Sequence, residues 1–206
     1  MGCRYWVFGL FVLMVASFAP AVRADDLDAC GNANPDIRIS GCSAIIDAGT
    51  ASREIVANAY INRGVAYDSK GEYDRAIEDY DKAIALNPND ASFYYNRGNT
   101  YDYKGEYDHA ITDYDQAIAL DPKLAPAYGN RGLVYARKGE NDRAIMDFNK
   151  AIALEPEYAM NYFYRGLAYE KLGDKQKAEP DYQKTLSLLP GDKSAVAGLQ
   201  RLKAAP

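Results

Sequence analysis

Three asparagine side chains recur at a fixed interval and are well suited to bind another molecule. Asn62, Asn96 and Asn130 lie 34 residues apart, and each is followed by Arg and Gly. A carboxamide offers both a hydrogen-bond donor and an acceptor, so a row of them could pair with the backbone of an extended peptide. The alternative is that each asparagine makes a local hydrogen bond within its own helix pair.

Few other side chains are spaced for catalysis or metal binding. The only histidine, His109, lies at 34-residue steps from Arg75, Arg143 and Lys177, which is typical of a surface residue. The sequence has no Cys/His ligand spacing, no Gly-rich phosphate loop and no serine nucleophile in a recognisable setting. We therefore predict that the protein is not an enzyme and has no cofactor or metal ion.

These side chains belong to a 34-residue repeat, which must position them. The triplet Asn-Arg-Gly of residues 62–64 returns twice, and a fourth copy begins Tyr-Arg-Gly at 164–166. Residues 57–90 and 91–124 are identical at 22 of 34 positions, which excludes a chance alignment. A fixed period of this length is typical of a stacked array of supersecondary units.

Each unit is predicted to form two helices joined by a tight turn. In the first unit, helix A spans 57–69, Gly71 supplies the left-handed residue that closes it, and Pro88 separates the unit from the next. Apolar residues then recur at intervals of three and four along helix B, which gives that helix one apolar face. Those residues are Ala76, Ile77, Tyr80, Ala83 and Ile84.

This pattern resembles the tetratricopeptide repeat family over about residues 57–192. The family's aromatic, small and proline positions are met in the first unit by Tyr60, Gly64, Tyr67, Ala76, Tyr80, Ala83 and Pro88. The resemblance implies an all-α fold, a right-handed α-solenoid of helix-turn-helix repeats. The predicted units are 57–90, 91–124, 125–158 and 159–192, followed by a C-terminal capping helix at 193–206.

The repeats depart from the family pattern at one position in every unit. Arg replaces the usual Leu at 63, 97, 131 and 165, and an Asp follows each Arg sixteen residues later. We predict that each Arg pairs with an Asp of its own or the adjoining unit; the alternative is a solvated Arg lying over apolar surface. In the fourth unit, Pro180 should kink or delay helix B.

The resemblance also implies where a ligand would lie. In this family ligands usually occupy the concave groove lined by helix A of each unit, and exposed aromatic residues are common anchors. The alternative for the aromatic residues is burial beneath a neighbouring loop. The predicted groove residues are Asn62, Asn96, Asn130, Tyr95, Asn99, Tyr103, Phe163 and Tyr164. The family's basic clamp for chaperone C-termini is not matched, because only Asn96 fits it.

These residues predict a scaffold for protein–protein interaction, with a peptide segment or a partner protein bound in the groove. The alternative is a structural or accessory subunit of an envelope complex, acting through self-association or N-terminal anchoring. Nucleic acid is not an expected partner, because the net charge of −5 does not suit phosphate binding. The composition, 48% hydrophobic and 26% charged, is that of a globular protein.

Residues 1–24 have the anatomy of a signal peptide. Arg4 precedes an apolar run at 5–18, and Ala24 would end the segment with a cut before Asp25. The alternative is an uncleaved membrane anchor, although the run is shorter than a spanning helix needs. Cleavage predicts a periplasmic or secreted protein with no membrane insertion after cleavage, in a bacterial setting.

Two cysteines would remain after cleavage. Cys30 and Cys42 form an even pair in an exported chain, which favours a disulfide over two buried free thiols. We predict that this disulfide clips residues 25–56 into a degenerate N-terminal half-repeat that caps the first full unit.

Overall fold

The computed structural model of the protein describes residues 21–204. Within that range the chain forms eleven α-helices and no strand, which confirms the predicted all-α class. The helices are α1 (Ala24–Cys30), α2 (Pro35–Ala48), α3 (Arg53–Ser69), α4 (Tyr73–Leu86), α5 (Ala91–Tyr103), α6 (Tyr107–Leu120), α7 (Ala125–Arg137), α8 (Asn141–Leu154), α9 (Ala159–Lys171), α10 (Lys175–Leu188) and α11 (Lys193–Ala204). Most of the predicted signal peptide, residues 1–20, lies outside the described residues.

Each predicted unit is an antiparallel pair of helices, and each pair packs on the next along the chain. The turns inside the four pairs contain a glycine with positive φ; at Gly71 it is 75°. The N–H of Gly71 donates to the carbonyl of Asp68 at 2.9 Å, which closes helix α3. Helix α3 begins at Arg53 rather than at the predicted Ala57, because the Ser52 side chain accepts from the N–H of Ile55 and caps it.

The core of each pair is an aromatic ring against a glycine. The Tyr80 ring is fully buried, and a Cβ on Gly64 would lie 2.6 Å from it. Tyr114 and Phe148 lie in the same way against Gly98 and Gly132. A larger residue at these glycines would push the two helices apart, so the repeated glycine sets their close approach.

The predicted pairing of Arg with Asp is confirmed, and it extends across the unit boundary. Arg97 makes two hydrogen bonds to Asp113 of its own unit, at 2.7 and 2.8 Å, and a third bond to Asp81 of the preceding unit. Arg131 does the same with Asp147 and Asp115. Each bridging guanidinium therefore fixes one helix pair on the next through a planar, bidentate contact.

The two ends of the array keep the arginine and change its second partner. Arg63 binds Asp79 and reaches Ser43 of α2, and Arg165 binds Asp181 and reaches Asn149 of α8. Ser43 therefore takes the place in α2 that an Asp or Asn takes in the later helices. At both outer junctions a neutral side chain replaces the second carboxylate.

Pro180 does not delay its helix, so that part of the prediction is wrong. Helix α10 begins at Lys175 and has 14 residues, the same length as α4. Pro180 is the sixth residue of α10, where it removes a single hydrogen bond to Gln176, and the Asp174 side chain caps the helix start by accepting from the N–H of Lys177.

Both ends of the array are covered by further helices. At the N-terminal end α1 packs on α2, and Cys30 and Cys42 form a buried disulfide with Cα atoms 4.5 Å apart. At the C-terminal end α11 packs on α10, where Gly198 meets the ring of Tyr182.

Candidate functional site

A cavity of about 250 Å³ opens between helices α5, α7 and α9, which carry all of the predicted groove residues except Asn62 on α3. Three predicted residues line it: Tyr95 from α5, Asn130 from α7 and Tyr164 from α9. The structure thus brings together side chains of three successive units. The other five predicted residues, Asn62, Asn96, Asn99, Tyr103 and Phe163, do not line this cavity.

The cavity exists because one unit lacks a side chain. Gly129 lies in the lining of the cavity, at the place that Tyr95 and Phe163 hold 34 residues before and after it. Pro126 and Leu133 of the same helix add apolar walls. A pocket with apolar and aromatic walls and a few polar groups is the usual form of a ligand site.

A hydrogen-bond network fixes Asn130 in the wall of the cavity. The Asn130 Nδ2 donates to Asn99 Oδ1 at 2.8 Å and to the Tyr95 hydroxyl at 3.2 Å. Asn99 Oδ1 also accepts from the buried Tyr114 hydroxyl at 2.8 Å. Both N–H donors of Asn130 are therefore used inside the protein, and its Oδ1 makes no hydrogen bond to any residue between 21 and 204.

Asn161 is a cavity residue that the sequence did not reveal. Its side chain lies in the lining and is 5% exposed, yet the amide makes no hydrogen bond within the described part of the chain. A Cβ on Gly129 would lie 3.0 Å from Asn161 Oδ1. Asn161 could have been found in the sequence because it is polar at a position where the three earlier units have Ala59, Phe93 and Ala127.

The loop between α8 and α9 completes the rim with Glu155. At the equivalent loop positions, Asn87 and Asp121 accept hydrogen bonds from the backbone N–H two residues later. Glu155 makes no such bond, and no ion pair involves it among residues 21–204. An unpaired carboxylate therefore lies at the cavity.

Tyr158 also lines the rim, and because of it helix α9 lacks a side-chain cap. It occupies the N-cap position, where Asp90 caps α5 by accepting from the N–H of Ser92 at 2.9 Å. Tyr158 makes no capping bond and is 55% exposed. An exposed aromatic residue in place of a good cap costs about 1 kcal/mol locally. Leu124 at the start of α7 likewise makes no capping bond.

The three repeated asparagines do not share one set of partners. Asn62 Nδ2 lies 3.8 Å from Cys30 Sγ, and Asn130 belongs to the network with Asn99. The Asn96 amide makes no side-chain hydrogen bond in the described range. Only Asn96 keeps both its donor and acceptor for a ligand, and a role for all three in peptide binding stays a prediction.

The remaining predicted aromatic residues lie elsewhere on the array. Tyr103 is 70% exposed and stacks on Tyr73, with ring centroids 6.2 Å apart. Phe163 lines a second, more open cavity of about 810 Å³ between α9 and α11, whose charged residues include Lys171 and Lys193. Glu170 in that wall is bound by Arg201 at 2.7 and 2.8 Å, so the second cavity is basic.

One buried carboxylate stands out in the first unit. Asp68 Oδ2 accepts from the hydroxyls of Tyr80 and Thr100 at 2.7 and 2.6 Å, whereas its Oδ1 is buried without a partner. Burial raises the pKa of Asp68, and the two hydroxyls only partly offset that effect. The equivalent Asp102 is bound by Arg137 of the next unit, which Asp68 lacks.

Residues 21–204 include no cluster of three or more His, Cys, Asp or Glu that could hold a metal ion. None of their helices has the length and apolar character required to cross a bilayer.

Comparison with solved structures gives several similar folds. The crystal structure of MamA is 29% identical, covers 79% of this chain and 93% of its own, and superposes with a TM-score of 0.72. The first TPR of Spaghetti (RPAP3), solved with the HSP90 peptide SRMEEVD, is 32% identical over 55% of this chain and 90% of its own, with a TM-score of 0.55. YrrB, described as a TPR protein with an unusual peptide-binding site, is 18% identical, covers 85% of this chain and 88% of its own, and shows the same fold with a TM-score of 0.72.

Comparison with curated protein sequences found no match. The sequence pattern of the tetratricopeptide repeat, in contrast, matches four consecutive segments: 57–90, 91–124, 125–158 and 160–192. These segments contain the four helix pairs α3–α4 to α9–α10, apart from the first residues of α3 and α9. The chain therefore belongs to the tetratricopeptide repeat family.

Proposed function

We propose that the protein is a noncatalytic scaffold that binds a peptide segment of a partner protein in its concave groove. The observation that carries this proposal is the cavity at Gly129, where side chains from three successive units converge. Such a cavity can seat one side chain of an extended segment, while Asn96 is free to pair with its backbone. The RPAP3 domain, which shares this fold, was solved with a peptide bound.

We also propose that the protein works outside the cytoplasm. The disulfide between Cys30 and Cys42 is of a kind that persists in oxidising compartments. It agrees with export directed by the signal peptide proposed at residues 1–24. Mass analysis of alkylated protein from the native cell should find both cysteines unmodified, whereas two alkylated cysteines would argue against export.

A displayed library of random peptides tests the binding proposal. Peptides enriched on the purified protein should bind the Tyr158→Ala variant about tenfold more weakly, since Tyr158 is an exposed aromatic residue at the cavity and 1.4 kcal/mol is tenfold in affinity. Met146→Ala is the control, because Met146 is 70% exposed on α8 and does not line the cavity.

Equal affinity of both variants would place the peptides on another surface and contradict the proposal. Sedimentation measurements separate the alternative function. A mass that rises with protein concentration, and is unchanged by Tyr158→Ala, would favour a structural subunit that self-associates.

A further inference from the structure

We infer that the cavity at Gly129 selects a basic side chain, Lys or Arg, from the bound segment. This inference rests on the proposed peptide-binding function and adds the chemistry of the anchor residue.

Two polar groups of the cavity, the Glu155 carboxylate and the Asn130 carbonyl, offer a ligand acceptors alone. Glu155 supplies a carboxylate with no ion pair among residues 21–204, and no Lys or Arg lines the cavity. Asn130 has given both N–H donors to Asn99 and Tyr95, so only its carbonyl oxygen remains for a ligand. A guanidinium or ammonium group has donors alone, and it complements this set of acceptors in both charge and hydrogen bonding.

Asn161 places a further polar group at the deep end. Its amide is 5% exposed, lies against Gly129 and makes no hydrogen bond within the described part of the chain. Asp68 Oδ1 is the only buried side-chain N or O atom without a partner among residues 21–204, so the Asn161 amide atoms are open to the cavity. Asn161 Oδ1 can therefore accept a hydrogen bond from a ligand donor, independently of the charge at the rim.

The walls also suit a cation. Tyr95, Tyr158 and Tyr164 line the cavity, and tyrosine rings attract a cation placed over their faces. The fold uses the same combination internally. The Arg143 guanidinium lies 4.0 Å from the Tyr135 ring centroid and donates to the Glu140 carboxylate at 2.7 Å.

The neighbouring cavity shows the opposite character on the same helix. Lys171, Lys193 and Arg201 line the opening between α9 and α11, and only one acidic residue, Glu170, faces them. An acidic side chain is favoured there and disfavoured at Glu155. Along the bound segment, the cavity at Gly129 should therefore take a basic side chain and the cavity between α9 and α11 an acidic one.

The test uses the peptides enriched from the random library. We expect a Lys or Arg at one fixed position. Replacing an Arg there by citrulline, which is neutral and of similar shape, or a Lys by neutral acetyl-lysine, should weaken binding to the wild-type protein about tenfold. In the Glu155→Gln variant this difference should fall to about threefold or less. Glu157→Gln is the matched control, because Glu157 is exposed on the same loop and does not line the cavity.

Two results would overturn the inference. One is groove-dependent peptides without a fixed basic residue; the other is a citrulline or acetyl-lysine penalty that is the same in Glu155→Gln as in the wild-type protein. Either result would leave the proposed binding function intact. A library that yields no groove-dependent peptide would contradict the inference together with the proposed function.

Discussion

Adding a methyl group at Gly129 should separate binding from stability. The Gly129→Ala substitution places a Cβ 3.0 Å from Asn161 Oδ1, so the amide must move by a few tenths of an ångström. The methyl group then occupies the deep end of the space that we assign to the ligand. We expect the affinity for groove peptides to fall at least tenfold.

The free energy of unfolding should change little, because two effects of similar size oppose each other. Alanine inside a helix is favoured over glycine by up to about 1 kcal/mol. Forcing the Asn161 side chain away from its rotamer costs about 0.5–1.5 kcal/mol. The net change should stay within about 1 kcal/mol, or about 2–4 °C in Tm for a chain of this size.

Fluorescence anisotropy with a labelled groove peptide gives the affinity, and urea denaturation gives the stability. The double variant Gly129→Ala/Asn161→Ala removes the steric clash, but it also removes the Oδ1 acceptor that we assign to the ligand. It should therefore not recover the affinity lost in Gly129→Ala. Unchanged affinity in Gly129→Ala would refute the assignment of the cavity as the anchor site, and a stability loss above about 2 kcal/mol would refute the packing argument.

Three other substitutions test separate parts of the structure. Tyr158→Asn should raise the free energy of unfolding by about 0.5–1 kcal/mol by capping α9, while it weakens peptide binding; urea denaturation that shows a loss of stability would contradict the capping argument. Arg131→Met should cost about 3 kcal/mol in the same assay, because it leaves Asp147 buried without a cation, and adding Asp147→Leu should recover much of this loss. As the pH falls from 7 towards about 4, the wild-type protein should gain stability relative to Asp68→Asn. The reason is that the raised pKa lets Asp68 bind its proton at a higher pH in the folded protein than in the unfolded chain. A stability difference between the two proteins that does not vary with pH would exclude this.

The repeat unit and its internal contacts could be predicted because each unit has the same residues, or similar ones, at the same positions. Gly71, the Arg63–Asp79 pair and the buried Tyr80 each return at 34-residue steps, so helix turns, ion pairs and core rings are recognisable from spacing alone. The disulfide could be predicted from the two cysteines that would remain after the predicted cleavage. The early start of α3 was missed because Ser52, its cap, lies outside the repeat.

The cavity could be predicted only in part because it depends on where the copies differ. Tyr95, Asn130 and Tyr164 were predicted as groove residues and line the cavity, whereas Asn161, Glu155 and Tyr158 lie at places not assigned to the groove. The space itself comes from the side chain that Gly129 lacks. Comparing equivalent positions across the four units would have found both residues. Asn161 is polar where the other units are apolar, and Gly129 has no side chain where its neighbours have an aromatic ring.

The bridging arginines determine how far a local opening spreads along the array. At the two inner junctions each guanidinium binds carboxylates on both sides, so opening one unit exposes an unpaired charge in the next. Neighbouring units there should exchange their amide hydrogens together, as in a chain of coupled elements. At the junction of Arg165 the second partner is the neutral Asn149, and the following helix contains Pro180. Helices α9 to α11 should therefore open as a separate unit at lower free energy than the two middle units, which makes α9, the helix shared by both cavities, an adjustable wall of the proposed groove.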